Sequence, residues 1–208
     1  ITPPPRHLPR RPTQPPPRPA VSALTNAASY ATGGVAPGEI ISLFGAGLGP
    51  VAGVPLSLTS TGLVSTTLGG TQVLFDGIPA PLIYVRADQV SAIVPYSLGD
   101  GRTNTHIIVQ YNGQVSAVFT LPVVLSAPAL FTADASGRGQ GAILNEDGSV
   151  NSLSNPAAKG SVVVLYGTGE GETNPPGVDG KLAVDVLPKP PLPVTVSIEC
   201  KEAQGLDA

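Results

Sequence analysis

Methionine and tryptophan are absent from the 208 residues, cysteine occurs once, and charged side chains make up only 12%. The single cysteine, Cys200, excludes an intrachain disulfide. Aromatic residues amount to 4%, so any core must be assembled from Val, Ile, Leu and Ala. The Ala/Glu/Lys/Leu-rich stretches of a helical bundle or an α/β fold are missing as well, which leaves an all-β chain as the expectation. No apolar run approaches the ~20 residues of a membrane-spanning helix. With Ile at position 1 and no Met anywhere, residue 1 is expected not to be the translational start, and a signal peptide or longer upstream region is expected before it.

Basic charge is scarce beyond the first twenty residues. The formal net charge is −3, and Arg6, Arg10, Arg11 and Arg18 lie in a stretch without acids. Subtracting those four charges leaves −7 on the remainder, a body that repels polyanions and disfavours a nucleic-acid partner.

Proline and glycine are abundant instead, 24 and 25 residues respectively. Pro3-Pro4-Pro5 and Pro15-Pro16-Pro17 fix φ and remove backbone donors, so residues 1–23 read as a polyproline tether. Pro12-Thr13-Gln14-Pro15 also fits a P-x-x-P recognition peptide, with a semi-rigid linker as the plainer reading.

From Val35 onward, short β-branched runs alternate with turn residues. Ile40 to Phe44, Thr71 to Phe75, Leu82 to Val85, Val90 to Val94, His106 to Tyr111 and Val115 to Val124 are expected strands. Asn112-Gly113 accepts positive φ at both central positions and predicts a two-residue hairpin. Strands at this spacing without helices predict an immunoglobulin-like β-sandwich over 24–127. Its expected core is Ile40, Leu43, Val73, Phe75, Ile83, Val94, Ile107, Val109, Val118 and Leu121.

The chain also repeats itself. Gly38 to Gly49 returns 122 residues later as Gly160 to Gly171, with four glycines in register, and Thr71 to Asp76 matches Val194 to Glu199. Residues 160–208 therefore read as an incomplete second unit, joined to the first by a connecting hairpin and linker over 128–159 that leaves the two loosely attached. The strand edges at Val162, Val164, Val194 and Val196 lack the roughly fifty residues that close the first unit, so they are candidate sites for a partner strand.

Functional motifs weigh against chemistry. Gly45, Gly47 and Gly49, like Gly167, Gly169 and Gly171, have G-x-G-x-G spacing with Pro50 or Pro175-Pro176 following; a dinucleotide site needs G-x-G-x-x-G and a helix. They read as structural glycine bends. Asn145-Glu146-Asp147-Gly148-Ser149 lacks the alternation and distal Glu of a calcium loop, and Glu170 and Glu172 have Leu48 and Pro50 at the matching positions of the other copy, so an ion site there would belong to one copy only. His7 sits in the tether and His106 in a strand, so no histidine pair or activated nucleophile emerges. Carboxylate pairs such as Asp134 and Asp147 arise in any chain with 14 acids. Tyr84, Tyr96, Tyr111 and Tyr166 are sugar-stacking candidates that read more simply as half-buried sheet residues. The expectation is no catalytic, metal or cofactor site.

Asn26-Ala27-Ala28-Ser29-Tyr30, Val35-Ala36-Pro37-Gly38-Glu39-Ile40, Phe44-Gly45-Ala46-Gly47-Leu48-Gly49-Pro50, Ile78 to Val85, Ala92 to Tyr96, Asn145 to Ser152 and Tyr166 to Gly171, in this order, resemble the uncharacterised C-terminal domain of large secreted Solibacter-type acidobacterial proteins. The resemblance spans about Leu24 to Ile198, and its halves are similar to the IPT/TIG branch of immunoglobulin-like folds. It implies an extracellular or cell-surface location behind other domains, and no activity. Residues 199–208 depart from the family pattern, which usually adds further strands. The expected function is non-enzymatic: spacing, attaching or assembling a larger surface protein through self-association, strand exchange or neighbouring domains. The other reading is a polysaccharide-binding accessory module.

Overall fold

The computed structural model describes residues 17–184, 187–198 and 201–203. The fold is all-β with antiparallel sheets. One five-stranded sheet contains β1 (Ala20–Asn26), β2 (Ile40–Ala46), β3 (Val54–Pro55), β6 (Leu82–Val85) and β7 (Gln89–Ile93), in the order β1-β2-β7-β6-β3. The other contains β4 (Thr71–Phe75), β5 (Ile78–Pro79), β8 (Asn104–Tyr111) and β10 (Phe119–Pro122), in the order β10-β8-β4-β5, with β9 (Gln114–Val115) also paired to β8. Ile41, Leu43, Leu82, Val85 and Val90 of the first sheet share one buried cluster with Val73, Phe75, Ile107 and Val109 of the second, consistent with a β-sandwich.

Alternation decides which residues enter that cluster. Thr71, Val73 and Phe75 on β4, and Thr105, Ile107 and Val109 on β8, point inward while their neighbours point out. Leu43, Val94 and the residues just named among the expected core are buried, and Leu121 packs against the cluster. Ile40 and Ile83 are only half-buried because Ile41 and Leu82 occupy the inward positions, the second beside a register shift between Leu82 and Tyr84. Val118 corrects the expected core outright: it lies between β9 and β10 and is 59% exposed.

Asn112 and Gly113 connect β8 to β9 with φ of 48° and 74°, and Tyr111 pairs with Gln114 across them. Strand β1 was not expected. Ala20–Asn26 pairs along β2, so residues 20–23, read as tether, belong to the sheet. The reason is tertiary: the sequence AVSALTN has little strand character of its own and acquires it on the edge of β2.

The remaining strands are short. β11 (Ala129–Leu130) pairs with β14 (Gly167–Thr168), β12 (Ile143–Asn145) with β13 (Val163–Leu165), and β15 (Val196–Ile198) with β16 (Lys201–Ala203). The boundary at residue 160 drawn from the sequence therefore cuts through paired strands. Part of the polar tail also pairs, as β16.

The registers of the two regions coincide. Ala20 and Val21 lie opposite Ala46 and Gly45, while Ala129 and Leu130 lie opposite Thr168 and Gly167. Leu24 and Asn26 face Leu43 and Ile41, while Ile143 and Asn145 face Leu165 and Val163. What is one strand in β1 is two in β11 and β12, separated by residues 131–142.

Candidate interaction surface

Contacts along residues 167–180 correct the expectation of two loosely attached units. The Ile40 amide donates to Thr168 Oγ1 at 2.7 Å, Val64 N to Gly180 O at 2.8 Å, and Tyr96 N to Asp179 Oδ1 at 2.8 Å. Asn26 Nδ2 reaches Ala127 O at 3.0 Å, and the Ala127 amide bonds Gly169 O. Thr168 and Thr173 are buried in the process.

Glu39 is the buried acid at this junction. Its Oε1 accepts from Asn26 Nδ2 and its Oε2 from the Ala36 amide, both at 2.8 Å. Burial pushes the carboxyl above its ordinary value of 4.5, while the hydrogen bonds from Ala36 and Asn26 pull the other way. Desolvation likewise raises the half-buried Tyr96 hydroxyl, helped by the nearby charges of Glu170 and Asp179. Sequence reading missed Glu39 and Asn26 because a buried Glu and a turn Asn look like ordinary polar residues in a chain of short strands.

The glycines divide by role. Gly47, Gly169 and Gly171 have φ of 66°, 88° and 89°, whereas Gly45 lies inside β2 without positive φ. A Cβ on Gly45 would collide with the Ala20 carbonyl oxygen, and one on Gly169 with that of Ala127. Gly49 sits against Val85, and Gly167 approaches Ala129 O.

The charged clusters lie at the surface. Asp76 accepts from the His106 amide at 3.0 Å, contacts His106 Nδ1 at 2.8 Å and pairs with Arg102, which also binds Asp100. Desolvation opposes ionisation of Asp76, but the His106 hydrogen bonds and Arg102 hold its pKa at about 2. Asp147 caps its own turn through the Ser149 amide and hydroxyl. Among the described residues no three His, Cys, Asp or Glu side chains converge as a metal site. His7 and Cys200 lie outside the described residues.

The second region holds a half-walled cavity of about 530 Å³, lined by Leu130, Phe131, Ile143, Val163, Leu165 and Val196, with Arg138 and Asn151 among its polar residues. The register equivalents of Ile143, Val163 and Leu165 are Leu24, Ile41 and Leu43, all buried in the first core. Beside the cavity, β13 pairs with β12 alone among the described residues, whereas β2 has neighbours on both sides. Val162, Val164 and Val194 are 43%, 47% and 54% exposed, and Val196 is half-buried. Of the four candidate edge residues, Val164 lies in β13 and Val196 in β15; Val162 precedes β13 and Val194 precedes β15.

No protein-family model matches the chain, and no curated protein matches it.

Proposed function

We propose that this chain is a non-catalytic immunoglobulin-like module of the IPT/TIG kind that spaces, attaches or assembles a larger extracellular or surface protein. The repeated register carries the reading: two regions of one chain set a glycine-bearing strand against the strand before it with the same residue partners. That supports two units of one design, the second with its core half-walled. The hydrogen-bonded junction through Thr168, Asp179 and Gly180 supports a spacer role, because units hydrogen-bonded to each other transmit orientation and load where a flexible linker does not. Both oxygens of the Asp76 carboxylate are engaged, one by the His106 amide and ring Nδ1 and the other by Arg102, which supports a structural role for it. The polysaccharide reading draws no comparable support: of the four tyrosines that the sequence offers for stacking, Tyr84, Tyr96 and Tyr111 are half-buried and Tyr166 alone is exposed.

Thermal and chemical denaturation of the full chain tests the proposal. One cooperative transition, with amides of β2 and β14 exchanging together, is expected. Independent melting of the two regions would overturn the spacer reading, and turnover of any substrate abolished by Asp76→Asn would overturn the non-catalytic one.

A further inference from the structure

Every edge of the first two sheets carries a device against strand addition. Pro55 lies in β3, Pro79 in β5 and Pro122 in β10, each removing a backbone donor, and β1 has a register shift between Val21 and Ala23. Strand β9, on the same side of β8 as β10, is only two residues long. Strand β13 has no such device. Ser161-Val162-Val163-Val164-Leu165-Tyr166 contains no proline, no charge and no bulge, and four of its six residues are β-branched or aromatic types that favour strands.

The neighbour of β2 on the equivalent side shows what such an edge accepts. Strand β7 runs antiparallel to β2, with Ser42 opposite Ser91, Leu43 opposite Val90 and Ile41 opposite Ala92. Apolar core residues thus flank a central like-with-like pair, and Val90 and Ala92 complete the buried cluster. A neighbour for β13 must place apolar residues opposite Val163 and Leu165, the counterparts of Ile41 and Leu43. The β13 sequence meets that requirement with itself. Turned antiparallel about Val164, it sets Val164 on Val164, Val163 on Leu165, and Val162 on Tyr166.

We propose that two copies of this chain pair edge to edge through β13, in antiparallel register with Val164 on the twofold axis, forming a continuous β12-β13-β13-β12 sheet. This rests on the assembly reading above and names its partner. The pairing is isologous, so it closes after two copies. Val163 and Leu165 of both copies then lie on one face, and the two cavities adjoin across the seam. The exposed Val164 side chains, stranded on the opposite face in a single copy, meet as a cross-strand pair.

The experiment uses the full chain with Cys200→Ser, so that any added cysteine is the only one. Light scattering after size exclusion is expected to give the mass of two chains at micromolar concentration. Adding Val164→Lys, which sets two like charges in contact on the axis, is expected to give one chain with the amides of β2 and β7 still protected. Adding Val164→Cys instead should yield a disulfide-linked dimer under mild oxidant, while Thr120→Cys on the proline-guarded β10 edge should not. A single-chain mass for the Cys200→Ser protein overturns the proposal. So does a dimer that survives Val164→Lys, or polydisperse aggregate without the Val164→Cys crosslink. A monomer that still unfolds in one transition leaves the spacer reading standing, which separates the two failures.

Discussion

The Glu39 carboxylate and the Asn26 amide are bonded at 2.8 Å inside the protein, and the same Asn26 nitrogen reaches Ala127 O at 3.0 Å. Asn26 Oδ1 also accepts from the amides of Ala28 and Ser29, so one side chain ties the end of β1, its following turn and Ala127, where the first unit ends, to a buried acid. Isolating a charge in that position costs stability that its hydrogen bonds only partly offset.

The consequence is a pH dependence with a defined sign. Because burial raises the Glu39 pKa above 4.5, the folded chain holds this proton more tightly than the unfolded chain. Its contribution is fully present below 4.5 and is lost as pH rises through the raised folded value. Wild type should therefore gain stability relative to Glu39→Gln as pH falls from 7 toward 4.5, measured by denaturant melts of both proteins. Asp76 works in the opposite sense: held at about 2, it withdraws stability as pH falls from its ordinary 3.8 through that value. A wild-type minus Glu39→Gln difference that stays flat between pH 7 and 4.5 would remove Glu39 as the titrating group.

How much of this was legible follows from how local each signal is. Asn112-Gly113 needs only its own two residues to form the turn, so the hairpin can be read from the chain. Ile40-Ile41-Ser42-Leu43-Phe44 is apolar at four of five positions, and alternation alone does not choose between its faces; β1 and β7, packed on either side, do. Strand β1 depends on the edge it joins, and Glu39 on Asn26, 13 residues before it, whose amide is itself held by Ala127, 101 residues further on. The glycine repeat was visible, but the pairing of β11 and β12 with its second copy was hidden by residues 131–142, which split one strand into two.

Two glycines separate backbone strain from crowding. Gly113 has φ of 74° and nothing within 4 Å of an added Cβ, so Gly113→Ala should cost about 1 kcal/mol through the backbone alone. Gly45 has an unexceptional φ, but its Cβ would strike the Ala20 carbonyl. Gly45→Ala should cost about 2 kcal/mol and speed amide exchange in β1 while sparing β4 and β8. Equal, global effects from both variants would contradict this division.

Thr168 tests the junction. Its hydroxyl accepts from the Ile40 amide at 2.7 Å in a site only 6% exposed. Thr168→Ala leaves that amide without its acceptor and should cost about 1–3 kcal/mol, whereas Thr168→Ser restores the oxygen and should recover most of it. Calorimetry of both variants distinguishes a lost hydrogen bond from lost methyl packing: if Ser is as costly as Ala, the methyl group is what matters.

Leu43 and Leu165 occupy equivalent registers, opposite Leu24 and Ile143 respectively, yet their surroundings differ. Leu43 is fully buried among both sheets, while Leu165 is half-buried beside an open cavity. Truncating a packed leucine costs transfer free energy plus the cavity it leaves, about 2–5 kcal/mol. At Leu165 the cavity already exists and much of the side chain's neighbourhood is missing, so Leu165→Ala should cost less than about half as much as Leu43→Ala. Urea titrations of the two variants, in the Val164→Lys background to keep the chain as a single copy, give the comparison directly. Equal costs would mean that the second core is as complete as the first, and the half-walled picture of it would fall.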